Sequence, residues 1–351
     1  MINKQYYTWI LCLFFLIACN QQAETTKEEP ETETTPVSEV QTEEIEEIPV
    51  EKAITAEDIL VTKELLFDKY TLSDSYFYKK SKTDSVARTF QWDKIKTHLA
   101  LLENLNKQPI IWGVLQNYRN RNGESPLVRE FVRNEYKMVS DTFGVERYQA
   151  VALYLTNDTL QAERYGRDGT PVKLTSAIDD TLSTFHTIEP ANGEEQWLVT
   201  KKYVKILGDT IKFSHAIFVD LTNQNVATLE KSGEEWLVRS MNPVTTGQHK
   251  PPYAHKTPVG IYFIQEKKRK MIYNKDGSDE VGGFAPYASR FTCGAYFHGV
   301  PSEHPRTSEI EYSPSLGTTP RSHMCVRNAS SHSKFIYEQM PIWQTAVFVL
   351  E

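Results

Sequence analysis

Ser322-His323-Met324-Cys325-Val326-Arg327-Asn328 holds the side chains best suited to covalent chemistry. A cysteine attacks as the thiolate, and an imidazole beside it can take the proton. His323 stands two positions before Cys325. In an extended or tightly turned backbone the two side chains can therefore meet, with His323 as general base. Upstream, Tyr296-Phe297-His298-Gly299 offers a second imidazole at a strand end, followed by a glycine that lets a ligand approach. A plainer reading of the same residues is a small apolar Cys325 inside a β core with histidines at the surface. The spacing leaves both open, because single Cys/His patterns transfer poorly between proteins.

A series of ordered motifs carries a resemblance to the L,D-transpeptidase catalytic domain of the YkuD type. That family has a His-Gly, then Ser/Thr-His-Gly-Cys, a small apolar residue and Arg or Asn. Here His298-Gly299 and Ser322 to Asn328 are similar to it. Ile217-Phe218-Val219-Asp220-Leu221 resembles the family's opening strand, and Thr257-Pro258-Val259-Gly260-Ile261-Tyr262 its Thr-Pro-x-Gly turn. Pro286-Tyr287 through Arg290-Phe291-Thr292 resembles the segment that leads into the His-Gly strand. The likeness covers about 212–351.

The resemblance implies Cys325 as nucleophile, attacking an amide carbonyl to give a thioester. It implies His323 as base and then as acid toward the leaving amine. Backbone N–H groups near Met324-Cys325 would stabilise the oxyanion. His298 and Gly299 would line the cleft, and Tyr296 and Tyr287 are candidates for its walls. Ser322 either hydrogen-bonds substrate or sets the turn; Arg327 either pairs with a substrate carboxylate or fixes the loop. The substrate class is a peptidoglycan stem peptide, cross-linked to an amine on another stem. With water as acceptor the same thioester makes an L,D-carboxypeptidase or a hydrolase that releases wall proteins. A non-catalytic peptidoglycan-binding lipoprotein is the reading from another class. No cofactor is implied. A zinc site of His298, His323 and Cys325 has no CxxC or HxxxH spacing behind it. Two departures stand out: Met324 occupies the family's Gly position, and the gap from His298 to Ser322 is long, as in a lid or substrate-shaping loop.

The elements that must position these residues read as mainly β with a helical N-terminal region. From 211 to 351 strands are expected over 212–219, 226–230, 235–240, 258–264, 294–299 and 345–350, with one helix over Ser330–Gln339. The result is an antiparallel β-sandwich or barrel with one helix, which is also what the family resemblance implies. Residues 146–210 show short β runs around the turn signals Asp168-Gly169 and Asn192-Gly193. Their end resembles the last strands of a bacterial SH3-like module. Residues 55–145 show helical spacing at 56–70, 91–105 and 126–138, and Trp92, Trp112 and Tyr118 read as core.

The first residues address the chain. Residues 1–18 read as a signal segment whose apolar run, Trp9 to Ala18, is too short to span a bilayer, and Leu16-Ile17-Ala18-Cys19 resembles a lipobox. That resemblance implies lipid on Cys19 and a chain anchored to a membrane of the cell envelope, facing the periplasm or wall. Residues 19–54 read as a disordered acidic tether. The net charge of −7 hides this: residues 24–51 hold eleven Glu and one Lys, a net of −10, so the rest is about +3. No basic stripe with interleaved aromatics supports nucleic-acid binding. A Cys293–Cys325 disulfide would block the nucleophile, and a packed Cys293 thiol is expected instead.

Overall fold

A computed structural model describes residues 52–80, 83–193 and 195–351. The signal segment, Cys19 and nearly all of the acidic tether lie outside them. The fold is mainly β. A six-stranded sheet runs in the order Leu60–Lys63, Glu235–Pro243, Asn225–Ser232, His215–Asp220, Thr345–Leu350, Gly260–Phe263. In the His215–Asp220 strand successive side chains point to opposite faces. Ile217 and Val219 therefore enter one core while Ala216 and Phe218 enter another. Both faces are covered, so the strand reads as an unbroken apolar run.

On one face lies the helix Trp92–Lys107, burying Ile95, Leu99 and Leu102 near Phe218, which stacks on Phe348 at 4.8 Å. Facing the other core is a second sheet, Glu266–Asn274, Val281–Thr292, Ala295–His298 and Val326–Arg327, with Ser302–Glu303 paired to Val281–Thr292. Phe291, Phe297 and Val326 meet Ile217, Val219 and Val347 there, together with Ile336 of the helix Ser330–Gln339.

A third, seven-stranded antiparallel sheet runs Val204–Gly208, Trp112–Leu115, Pro171–Leu174, Phe185–Pro190, Trp197–Thr200, Ala150–Tyr154, Arg164–Arg167. Trp112–Leu115 belongs to this sheet, so 55–145 is not a separate helical unit. Of the three helical segments expected there, only Trp92–Lys107 forms a helix of more than one turn. Leu60–Lys63 is a strand because it pairs in parallel with Glu235–Val238, and Phe131–Arg133 because it pairs with Val139–Asp141. Trp112 is core, as expected, whereas Tyr118 is only half-buried.

The third sheet is fastened to the second sheet through Asp168-Gly169. The Asp168 carboxylate is buried and receives Arg290 Nη1 at 2.5 Å, Gln265 Nε2 at 3.0 Å and the Asn117 and Tyr118 amides at 2.9 and 3.0 Å. A Cβ on Gly169, whose φ is +90°, would sit 2.2 Å from Phe291 O. Only glycine allows that approach.

Candidate active site

Cys325 precedes the short strand Val326–Arg327, which lies parallel to Ala295–His298 with Phe297 opposite Val326 and His298 opposite Arg327. Phe297 and Val326 point into the core. By alternation, His298, Arg327, Tyr296 and Cys325 share the other face. Cys325 and His298 are then diagonal neighbours, with Cα atoms roughly 7–8 Å apart, within side-chain reach. The thiol is free and partly exposed, and it donates to Gly294 O at 3.5 Å. Burial pushes it up to about 11, against the Tyr296 amide and Arg327, which pull it down. It is therefore protonated at neutral pH.

His298 is buried and its Nδ1 lies 2.7 Å from Gly299 O. A carbonyl only accepts, so Nδ1 carries the proton and Nε2 the lone pair. Burial pushes His298 down to about 4, with Arg327 acting the same way and the Gly299 bond opposing. The ring is neutral and fixed. Gly299 permits this turn because a Cβ there would meet Ser330 Oγ at 2.4 Å and Pro286 Cγ at 2.8 Å.

His323 is oriented differently from the sequence expectation. Its exposed ring bonds Asp276 Oδ2 through Nε2 at 3.1 Å, and its hydrogen bond is to that carboxylate rather than to the Cys325 thiol. Two positions apart in sequence did not mean side by side, because the backbone turns at Met324 with φ +129°. Ser322 is buried and its hydroxyl donates to Cys325 O, so it sets the turn. Arg327 is half-buried, and its Nε is enclosed without a hydrogen-bond partner. Tyr296 is buried beside the thiol; Tyr287 is also buried, at φ +52°, with the Arg269 guanidinium 3.8 Å from its ring centroid.

The motif loop is seated from below. Thr257 Oγ1 donates to Met324 O at 2.7 Å and accepts the Gly247 amide at 2.8 Å. A Cβ on Gly247 would come within 2.7 Å of Met324 Cα. Met324 itself holds a backbone conformation suited to glycine while its side chain packs in the core. Met324→Gly removes strain of about 1–2 kcal/mol and loses buried apolar surface of a similar size. The expected result is a small change in Tm with turnover kept or raised; a large loss of turnover would show that the Met324 side chain shapes the cleft.

The long gap between His298 and Ser322 is tied down rather than free. Ser330 N bonds Glu311 O, Thr245 Oγ1 bonds Ser315 O at 2.7 Å, and Arg88 reaches the carbonyls of Gly317 and Thr318. Cys293 is a buried, unpaired thiol. Among the described residues no cluster of three or more His, Cys, Asp or Glu is arranged to hold a metal ion, and no helix is long and apolar enough to cross a membrane. Tyr118, which the sequence places in the core, lies against Gly294, whose carbonyl receives the Cys325 thiol; its separation from Cys325 in the chain hides this.

A family model for the L,D-transpeptidase catalytic domain (YkuD) matches residues 214–349. None of the curated proteins matches the chain. Among solved structures, an L,D-transpeptidase from Mycobacterium smegmatis is 14% identical, covering 52% of this chain and 90% of that one, with a TM-score of 0.32. One from Stackebrandtia nassauensis is 25% identical over 41% of this chain and 60% of that one, TM-score 0.26. A fused Zn-dependent amidase/peptidase/peptidoglycan-binding domain-containing protein from Clostridium acetobutylicum is 18% identical over 39% of this chain, TM-score 0.28, and this chain spans about half, 51%, of its length.

Proposed function

Residues 214–349 belong to the L,D-transpeptidase catalytic-domain family, and on that premise we propose that the protein cross-links peptidoglycan stem peptides through a thioester on Cys325. The observation that carries this reading is the neutral His298 ring, anchored on Gly299 O and sharing a sheet face with the Cys325 thiol. In the proposed reaction Cys325 Sγ attacks the amide carbonyl of the donor stem while His298 Nε2 takes the thiol proton. The C–N bond breaks, His298 returns the proton to the leaving amine, and the acyl group stays on sulfur. An amine of a second stem then displaces the sulfur and restores the thiol. Backbone amides at Met324-Cys325 would stabilise the oxyanion, and removing one such donor typically costs about 3–4 kcal/mol.

His298 replaces His323 as base in this proposal, because His323 is committed to Asp276 in solvent. Arg327 supplies a cation for a substrate carboxylate, since its Nε has no partner. Ser322 holds the turn rather than substrate. The lipid anchor at Cys19, the acidic tether and an envelope location complete the proposal on sequence grounds. They bring the enzyme to its polymer.

The test is product analysis by mass spectrometry after incubation with tetrapeptide muropeptides. Cross-linked dimers with release of the terminal residue are expected, and Cys325→Ser should lose at least about 10³-fold in turnover with its Tm nearly unchanged. Plain trimming without dimers would make the enzyme a carboxypeptidase. Normal turnover by Cys325→Ser would remove the thioester.

A further inference from the structure

The Cys325 thiol is not walled by the catalytic domain alone. The carbonyl it donates to belongs to Gly294, and Gly294 is held from the other side. Its amide bonds Gln149 Oε1 at 3.0 Å, and Cys293 Sγ bonds Gln149 O at 3.5 Å. A Cβ built on Gly294 would lie 3.7 Å from both the hydroxyl and Cε2 of Tyr118. Tyr118 follows the Trp112–Leu115 strand and Gln149 precedes Ala150–Tyr154. Both are therefore delivered by the seven-stranded sheet.

The Tyr118 ring is fixed rather than loosely laid. Its amide bonds Asp168 Oδ1 at 3.0 Å, and the Arg290 and Arg119 guanidinium groups lie 5.3 and 5.2 Å from its ring centroid. The next residue, Arg119, has a φ of +54°, a left-handed conformation that costs a long side chain energy, and Asn120 follows at +52°, which asparagine tolerates. Asn120 Oδ1 is enclosed without a partner. Backbone strain of this kind clusters at functional sites. Burial raises the Tyr118 phenol, and Cys325 is among the charges that raise it further, in keeping with their closeness.

We propose that Tyr118 is a specificity-determining residue of the thiol cleft, contributed by the seven-stranded sheet: its ring shields Cys325 from solvent and bounds the channel for the peptide. The peptide half of this inference rests on the function proposed above, while the shielding half rests on the Tyr118 ring lying against Gly294, whose carbonyl receives the Cys325 thiol.

Two measurements on the full-length protein test it. Alkylation of Cys325 by N-ethylmaleimide, resolved from Cys293 by peptide mass, should speed up at least about threefold in Tyr118→Ala, whereas Tyr118→Phe keeps the slow rate. Tyr118→Leu gives the same reading should the alanine variant unfold, which its Tm would reveal. An acceleration below threefold in the folded variants overturns the shielding role. With muropeptides, the ratio of hydrolysed to cross-linked product should rise at least about threefold in Tyr118→Ala, and an unchanged ratio overturns the specificity role. If the wild type makes no product from stem peptides, the proposed function fails, and alkylation still decides whether Tyr118 walls the thiol.

Discussion

His298→Gln is expected to lower kcat/KM for stem-peptide turnover by about 10³-fold, and His323→Gln by less than about tenfold. The thiol, held near 11, is thiolate in only about one molecule in 10⁴ at pH 7. A base must therefore remove its proton as the bond to carbon forms. His298 offers a lone pair on a ring that cannot swing, because Nδ1 is tied to Gly299 O. His323 offers a ring more than half exposed and already bound to Asp276. The pH profile separates them further. His298 is pushed down to about 4, so it stays unprotonated until the solution is quite acidic. The acid limb of kcat/KM should fall below about pH 5, and a limb near the ordinary imidazole value of about 6.5 would contradict the assignment. Folding must be followed alongside. His298 and His332, the latter pushed down to about 3 by burial, are neutral in the fold, while the unfolded chain protonates near 6.5. Their contribution to stability is complete above about 6.5 and is lost as the pH falls through 4 and then 3. Circular dichroism at each pH distinguishes a titrating base from a loosening fold.

How these two histidines divide their roles explains what the sequence could and could not disclose. Cys325 was legible because its neighbours form a motif in one stretch of chain. The base proposed for it was not, since both His298 and His323 suit the chemistry and only the parallel register of Val326–Arg327 against Ala295–His298 sets one ring on the thiol's face. Local patterns fared well where burial acts on one element at a time. The strand expected over 212–219 forms at His215–Asp220, and the helix expected at Ser330–Gln339 forms with those bounds. The long hairpin Glu266–Asn274 to Val281–Thr292 escaped notice because Lys267, Lys268, Arg269 and Lys270 look like a loop. Their backbone is held by the partner strand, not by side-chain burial. The helical spacing over 126–138 misled for the converse reason: Val139–Asp141 provides a strand partner, and tertiary pairing outweighs a weak helical preference.

Asp168→Ala should destabilise the protein by about 3–5 kcal/mol, the usual cost of stripping one partner from a buried ion pair. Asp168 and Arg290 are both almost wholly enclosed, and without the carboxylate the Arg290 charge has only Glu266 left, at 3.1 Å. The same carboxylate receives the Asn117 and Tyr118 amides, Gln265 and the Cys293 amide at 3.2 Å, so these donors would be orphaned together. In the sequence Asp168-Gly169 looked like an ordinary turn; its charge is instead the peg between the seven-stranded sheet and the strand that leads to Gly294. Asp168→Asn keeps an oxygen for the Asn117 and Tyr118 amides and loses the charge. It should therefore cost less than alanine while still lowering Tm by several degrees in calorimetry. Equal Tm values for wild type and Asp168→Ala would mean that the two halves are held by apolar packing alone. A loss confined to Tm, with the alkylation rate of Cys325 unchanged, would mean that the peg secures the sheet without steadying Tyr118 at the thiol.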